Sequence, residues 1–281
     1  MSVLCEVCQT GMNCFFGPET MRNLVCLWRL SWIGMIFALA PAWAADVGPR
    51  PLVRLAVSEW PPFTGEHLPG NGIGTDTLRQ MLGRAGYQLE LVWLPWTRAV
   101  RDGSGMDSKL DGYFPEYTTA DTRRRCQLSA PIGMSVLGLA HRTALPVTWE
   151  RITDLARYRV GVVNGYVNSD AFDAAVSAGI LRVDGASSDE SNLRKLLRER
   201  IDVAVIDREV MGYLLAEPAL RNQAGQLAFH PHWLGELPLR VCFRHGARLQ
   251  PILAAMQAHR LPAAQLRAGQ RDYLRQLAEQ R

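Results

Sequence analysis

A chain of 281 residues, 48% hydrophobic and 21% charged, has the composition of a globular protein and room for one large domain or two small ones. Its formal net charge of +4 arises from 31 basic and 27 acidic residues, and the densest basic run is Arg123-Arg124-Arg125. No basic stripe with interleaved aromatics is present, which argues against a nucleic-acid-binding protein.

The first predicted element is a targeting segment. Met21 and Arg22 begin a weakly charged stretch, and Arg29 adds a second positive charge. An apolar run over 30–42 follows, broken by Ser31, Gly34 and Pro41, and ends in the small-x-small pattern Ala42-Trp43-Ala44. This order of charge, apolar run and cleavage pattern predicts a secretory signal peptide over 1–44, with Met21 as the start of translation. A membrane anchor is the alternative, but the run is short for a span. No cysteine sits near the cleavage point to take a lipid. The expected compartment is therefore the periplasm. Four of the six cysteines lie in the segment to be removed, leaving Cys126 and Cys242. An oxidising compartment permits a disulfide between them, with two separate buried thiols as the alternative.

In the expected mature chain, 52–57 reads as a short apolar strand that stops at Ser58-Glu59-Trp60-Pro61-Pro62-Phe63. A helix carrying Leu78, Met81, Leu82 and Ala85 on one face is expected next, capped by Thr75 or Asp76 and ended by Gly86. Strands at 89–94 and 110–114 flank a helix opened by Pro95. The segment 136–141 is a strand leading away from this first unit. The pattern then restarts with a short helix at 149–155, a strand at 159–163, a turn at 164–168, a helix at 169–178 and a strand at 181–184. Ser187-x-x-Glu190 reads as a capping box for a helix carrying Leu193, Leu196 and Leu197. The fully apolar 203–206 reads as a buried parallel strand, ended by Asp207 and followed by a helix to about 216. A strand at 239–243 and helices at 249–258 and 263–278 complete the chain. Alternation of strand and helix predicts an α/β fold with mostly parallel sheets flanked by helices. The last helices have no sheet of their own and are expected to return to the first unit. That makes lobe 1 discontinuous, 45–140 plus 239–281, with lobe 2 at 141–238.

The order of motifs resembles the family 3 extracellular solute-binding proteins, which serve polar amino-acid ABC transporters. The resemblance runs from about residue 53 to 273 and rests on short motifs in sequence. They are Trp60-Pro61-Pro62-Phe63, Gly72 to Asp76, Leu110-Asp111-Gly112, Leu128-Ser129-Ala130-Pro131, Leu155 to Val162 and Arg200 to Asp207. The resemblance implies a two-lobed, type II periplasmic-binding-protein fold with a ligand held between the lobes. Strand ends and helix N-termini are where open α/β sheets bind ligands.

By the same resemblance, Trp60 stacks on the ligand and Asp207 binds an α-ammonium, with a plain helix cap as the alternative for Asp207. Phe63 is expected to be a core contact, and Glu59 either meets an ammonium or is solvated. Gly165, Tyr166 and Asn168 form a turn whose backbone N–H groups could take a carboxylate, the alternative being an ordinary turn with an Asn or Ser cap. Near Thr119 the chain departs from the family, placing Thr122 where an arginine clamps the ligand carboxylate. Arg123 substitutes only if the loop slips by one residue, and otherwise the case for an α-amino acid weakens. Glu116 and Tyr117 replace smaller residues just upstream. Glu59, Glu116 and Asp207 together suit a cationic or amine ligand.

The histidines show no metal spacing, and no cofactor is expected. The reading is of a monomeric, non-enzymatic module that hands a small polar ligand to an inner-membrane ABC permease, or serves a signalling partner. The alternative is an enzyme on the same scaffold, similar to periplasmic dehydratases of cyclic acids, with Glu116 or Glu59 as the acid.

Overall fold

A computed structural model describes residues 50–280. The expected signal peptide and the four cysteines within it lie outside the described residues. The strands are β1 (Leu52–Val57), β2 (Gln88–Trp93), β3 (Gly112–Glu116), β4 (Gln127–Leu128), β5 (Gly133–Arg142), β6 (Val160–Val163), β7 (Val183–Ala186), β8 (Val203–Asp207), β9 (Leu227–Phe229) and β10 (Gly235–Phe243). The α-helices are α1 (Ile73–Arg84), α2 (Trp96–Ser104), α3 (Ala120–Arg125), α4 (Asp170–Ser177), α5 (Asp189–Leu197), α6 (Arg208–Ala216), α7 (Gln250–Ala258) and α8 (Ala263–Glu279).

The strands follow the order β2-β1-β3-β10-β5-β8-β6-β7. Pairing is parallel at both ends, β1 with β2 and β3, and β6 with β7 and β8. It is antiparallel in the middle, where β10 and β5 run. β10 changes partner along its length. Gly235 to Leu239 pair with β5, and the register then shifts as Arg240 to Phe243 pair with β3 and β4. Two parallel units, each covered by helices, are thus joined through β5 and β10.

Local chemistry explains where the elements depart from expectation. No side chain caps α1, and neither Thr75 nor Asp76 stands at its start. Carbonyls of the preceding turn do that work, because Ile73 and Gly74 donate to Pro62 and Phe63. Gly72 is required there: at φ +96° its Cβ would stand 2.5 Å from the Phe63 carbonyl. Ser188, not Ser187, caps α5 by accepting from the Ser191 N–H. Residues 152–157 form a 3-10 helix in place of the one expected over 149–155. The short helix α3 was not expected, since its arginine-rich sequence carries no apolar stripe. Thr119 caps it, and Thr119 and Thr122 exchange side-chain and backbone hydrogen bonds.

β8 is buried at every position between β5 and β6, but of these neighbours only β6 is parallel to it and β5 is antiparallel. α7 and α8 pack on α1, and α8 also meets β5. There the Gln270 amide brackets Met134, accepting from its N–H and donating to its C=O at 2.9 and 2.7 Å.

Cys126 and Cys242 are joined in a disulfide, which decides between the two readings of the sequence. It staples α3 to β10 beside Ala56, Ala99 and Tyr113, on the face of β1 and β3 that α2 covers. The bond closes a loop of 116 residues. A loop that long predicts a loss of roughly 2–5 kcal/mol of unfolding free energy in the paired Cys→Ser variant. Urea denaturation checks this, and equal midpoints with and without reductant would contradict it.

Candidate functional site

Three chain segments converge at the ends of the strands. At the end of β1, the Thr64 hydroxyl donates to the Ser58 carbonyl and Trp60 bridges back to Thr64, so the indole is held on a rigid turn. Phe63 is fully buried beneath it, with ring centroids 4.7 Å apart and planes inclined by 24°. Trp96 opens α2. Tyr166 follows β6 and meets both indoles edge-on, at 6.5 Å from Trp60 and 5.6 Å from Trp96.

These contacts join the two units. Trp60 Nε1 donates to Asp189 Oδ2 at 3.2 Å, and Trp96 Nε1 donates to the Gly165 carbonyl at 2.9 Å. A third bond runs from the Ala120 N–H to Asp170 Oδ1 at 2.9 Å. The arrangement is closed, with aromatic edges facing one another across the cleft.

The cleft has a volume of about 610 Å³. Its walls include Trp60, Trp93, Trp96 and Tyr166 together with Glu59, Glu66, Asp189 and Glu190, and no lysine or arginine among the described residues. Glu190 is paired with Arg194, and the Glu59 carboxylate accepts from the Glu66 N–H. A smaller cavity of about 30 Å³, bordered by Glu116 and Tyr117, adjoins it and shares Ser58, Trp60, Trp96 and Tyr166 with it.

Three buried carboxyl groups surround Tyr117. Glu116 accepts from the Tyr113 hydroxyl and the Tyr117 N–H, both at 2.9 Å, and lies 3.6 Å from Arg125. Asp207 accepts from the N–H groups of Glu209 and Val210 with one oxygen and from Ser135 with the other. Ser135 in turn contacts the Tyr117 hydroxyl at 2.7 Å. Asp189 accepts from Trp60 Nε1. Burial pushes each of the three carboxyls up to about 7, because desolvation penalises the charged form more than these donors favour it. Asp189 is raised further by Asp207, and among the described residues no cation pairs with either of them. Tyr117, between all three, is pushed well above its ordinary value, first by burial and then by their charges.

The candidate residues from the sequence fall into separate places. Glu59, Trp60 and Tyr166 line the cleft, and Glu116 and Tyr117 line the inner cavity. Phe63 supports Trp60 from the core. Asp207 is 1% exposed and caps α6, so its carboxylate connects to the site through Ser135 and Tyr117. Its replacement by alanine should cost roughly 1–2 kcal/mol through the lost cap, whereas Asp207→Asn retains an acceptor. Thermal unfolding of the two variants checks this, and equal melting points would refute the capping role.

In the turn after β6, several polar groups are spent locally. The Tyr166 N–H donates to Val163, and both the N–H and the side-chain amide of Asn168 donate to Asp173. Ser169 caps α4. Gly165 contributes an acceptor, its carbonyl, and that is taken by Trp96. Thr119 is spent on α3, and Thr122 is fully buried. Arg123 does not reach the cleft: it borders a separate pocket with Thr118 and Arg240. Asp189 was missed from the sequence, where it reads as an acidic residue in the first turn of a helix.

No protein-family model matches the chain, and no curated protein matches it in sequence. Solved structures do match. A histidine kinase sensor domain with similarity to periplasmic binding proteins superposes with a TM-score of 0.65 at 15% identity, over 80% of this chain and 97% of that one. The fold is the two-lobed periplasmic-binding-protein fold. The GluR0 ligand-binding core in complex with L-glutamate matches with a TM-score of 0.63 at 19% identity, over 81% and 100% of the two chains. An ancestral arginine-binding protein bound to arginine matches at 0.56 and 16% identity, over 74% and 92%. The expected fold is therefore borne out.

Proposed function

We propose that this chain is a periplasmic binding module whose lobes close on a small organic cation, such as an amine, a guanidine or a quaternary ammonium. The observation that carries the reading is Asp189. It is a buried carboxyl with no cationic partner among the described residues, set against the indole of Trp60 and the ring of Tyr166. Carboxylates and aromatic faces together recognise cations. The local engagement of the Tyr166 and Asn168 N–H groups, and Arg123 bordering another pocket, argue against a strict requirement for an α-amino acid. The arginine-binding and glutamate-binding structures share the fold and support ligand capture as its use.

The same reading includes export by a signal peptide ending at Ala44, lobes at 45–140 plus 239–281 and at 141–238, and action as a monomer. The ligand is delivered to an ABC permease. Service to a signalling partner is the second reading, favoured by the likeness to a kinase sensor domain. Catalysis with Glu116 as general acid draws support from a carboxyl pushed up to about 7. Turnover of a prephenate-like cyclic acid, lost in Glu116→Gln, would replace the binding reading.

The test is calorimetry on residues 45–281 after unfolding and refolding to remove any bound molecule. Putrescine, choline, arginine and glutamate serve as probes. Saturable binding of at least one cation, with glutamate silent, is expected. Glutamate binding without cation binding would overturn the proposal.

A further inference from the structure

A third pocket lies between α3 and β10, bordered by Thr118, Arg123, Cys126, Leu128 and Arg240, with a volume of about 340 Å³. It shares no lining residue with the cleft or with the cavity adjoining the cleft. Two of its buried polar atoms lack a hydrogen-bond partner among the described residues. The Arg240 guanidinium spends one nitrogen on the Ser129 carbonyl, while its Nε is buried with no partner among the described residues. The Thr118 hydroxyl is buried and unpartnered in the same way. Unmade hydrogen bonds at buried polar groups are costly, so each such group calls for a partner.

The charges point the same way. Along α3, Arg124 and Arg125 both pair with Asp121, but no ion pair holds Arg123 among the described residues. Burial pushes Arg240 below its ordinary value, and the nearby Arg123 charge lowers it further. Two guanidinium groups thus face one pocket with no carboxylate among its lining residues. Guanidinium is a planar fork of donors matched to the paired oxygens of carboxylate, sulfate or phosphate.

We propose that Arg123, Arg240 and Thr118 form a binding site for a small oxyanion, separate from the ligand cleft. The bound anion bridges α3 to β10, the strand that changes partner between the two units. The Cys126–Cys242 disulfide joins the same two elements covalently. An anion held there stabilises the folded chain in proportion to its occupancy. The site stands on its own residues, whatever the cleft binds.

Titration with sodium sulfate and with sodium acetate, followed by the Arg240 Nε–Hε NMR resonance, tests the site against sodium chloride at equal ionic strength. A saturating shift with either oxyanion is expected, and their ranking distinguishes a tetrahedral from a planar ligand. Arg123→Ala removes an exposed side chain and should weaken the binding at least tenfold, with the melting point in chloride unchanged. Thr118→Val should weaken it by a smaller factor. A linear drift that chloride reproduces, or the same saturation in Arg123→Ala, would overturn the proposal.

Discussion

Asp189→Asn is expected to weaken binding of a cationic probe such as putrescine by about 100-fold or more, while leaving the melting point of the free protein unchanged or higher. Asparagine still offers a side-chain oxygen to Trp60 Nε1, so the bond between the two units survives. What disappears is the charge. Truncating one partner of a buried, hydrogen-bonded charge pair costs about 2–5 kcal/mol, which covers a 100-fold loss. Trp60→Phe is the companion variant. It keeps an aromatic face but removes the donor to Asp189, and a smaller loss is expected. Equal Kd values for the wild type and Asp189→Asn would sink the cation reading, because no other carboxyl in the cleft is both buried and bonded across it.

The second large effect is of pH, and it runs in opposite directions for stability and for binding. Glu116, Asp189 and Asp207 have carboxyls pushed up to about 7 in the folded chain. Unfolded, they return to about 4. Between these values the folded state holds protons that the unfolded state has released. Stability of the free protein is therefore full below about pH 4 and falls as pH rises through about 7. The slope is at most roughly 1.4 kcal/mol per pH unit for each group that titrates independently. The cluster is coupled, so its groups share the steps. Asp202, held below its ordinary value first by its hydrogen bond to Arg159, acts the opposite way.

A cation favours the ionised carboxylates, so binding must expel their protons at low pH. Affinity should rise from pH 5 to 7, by up to about tenfold per unit for one carboxyl, and level off by about pH 8. Calorimetry in buffers of different ionisation enthalpy checks the proton release directly. A pH-independent Kd, with no protons released at pH 6, would contradict the assignment.

Much of the scaffold is legible in the residues. The apolar run of β8, the turn after β1 and the alternation of strand and helix each follow from local preferences. The start of β10 does not. Pro238 argues against a strand, yet it pairs with Met134 just before β10 leaves β5 for β3. A proline is tolerated at such an irregularity. The two strands expected at 110–114 and 181–184 run from Gly112 and Val183 instead, shifted by two residues. Trp60 is legible because Pro61 and Pro62 force a turn. Asp189 is not, because its meaning depends on an indole 129 residues away in sequence. Arg123 shows the converse. Its side chain borders a pocket apart from the cleft, which no local pattern reveals.

The two indoles that span the cleft carry a practical consequence. Trp60 and Trp96 are each tied by the ring nitrogen to an oxygen of the opposite unit, one to a carboxyl and one to a carbonyl. When the units part, both rings lose that partner and meet water. Indole emission responds to both changes, so opening and closing should alter the protein's intrinsic fluorescence without any attached dye. Trp149, packed against His232, and Trp233, beneath Arg208, lie outside the cleft walls and supply a steady background. The molecule is in that sense its own optical reporter, and its closing rate is measurable by stopped flow on the unmodified chain.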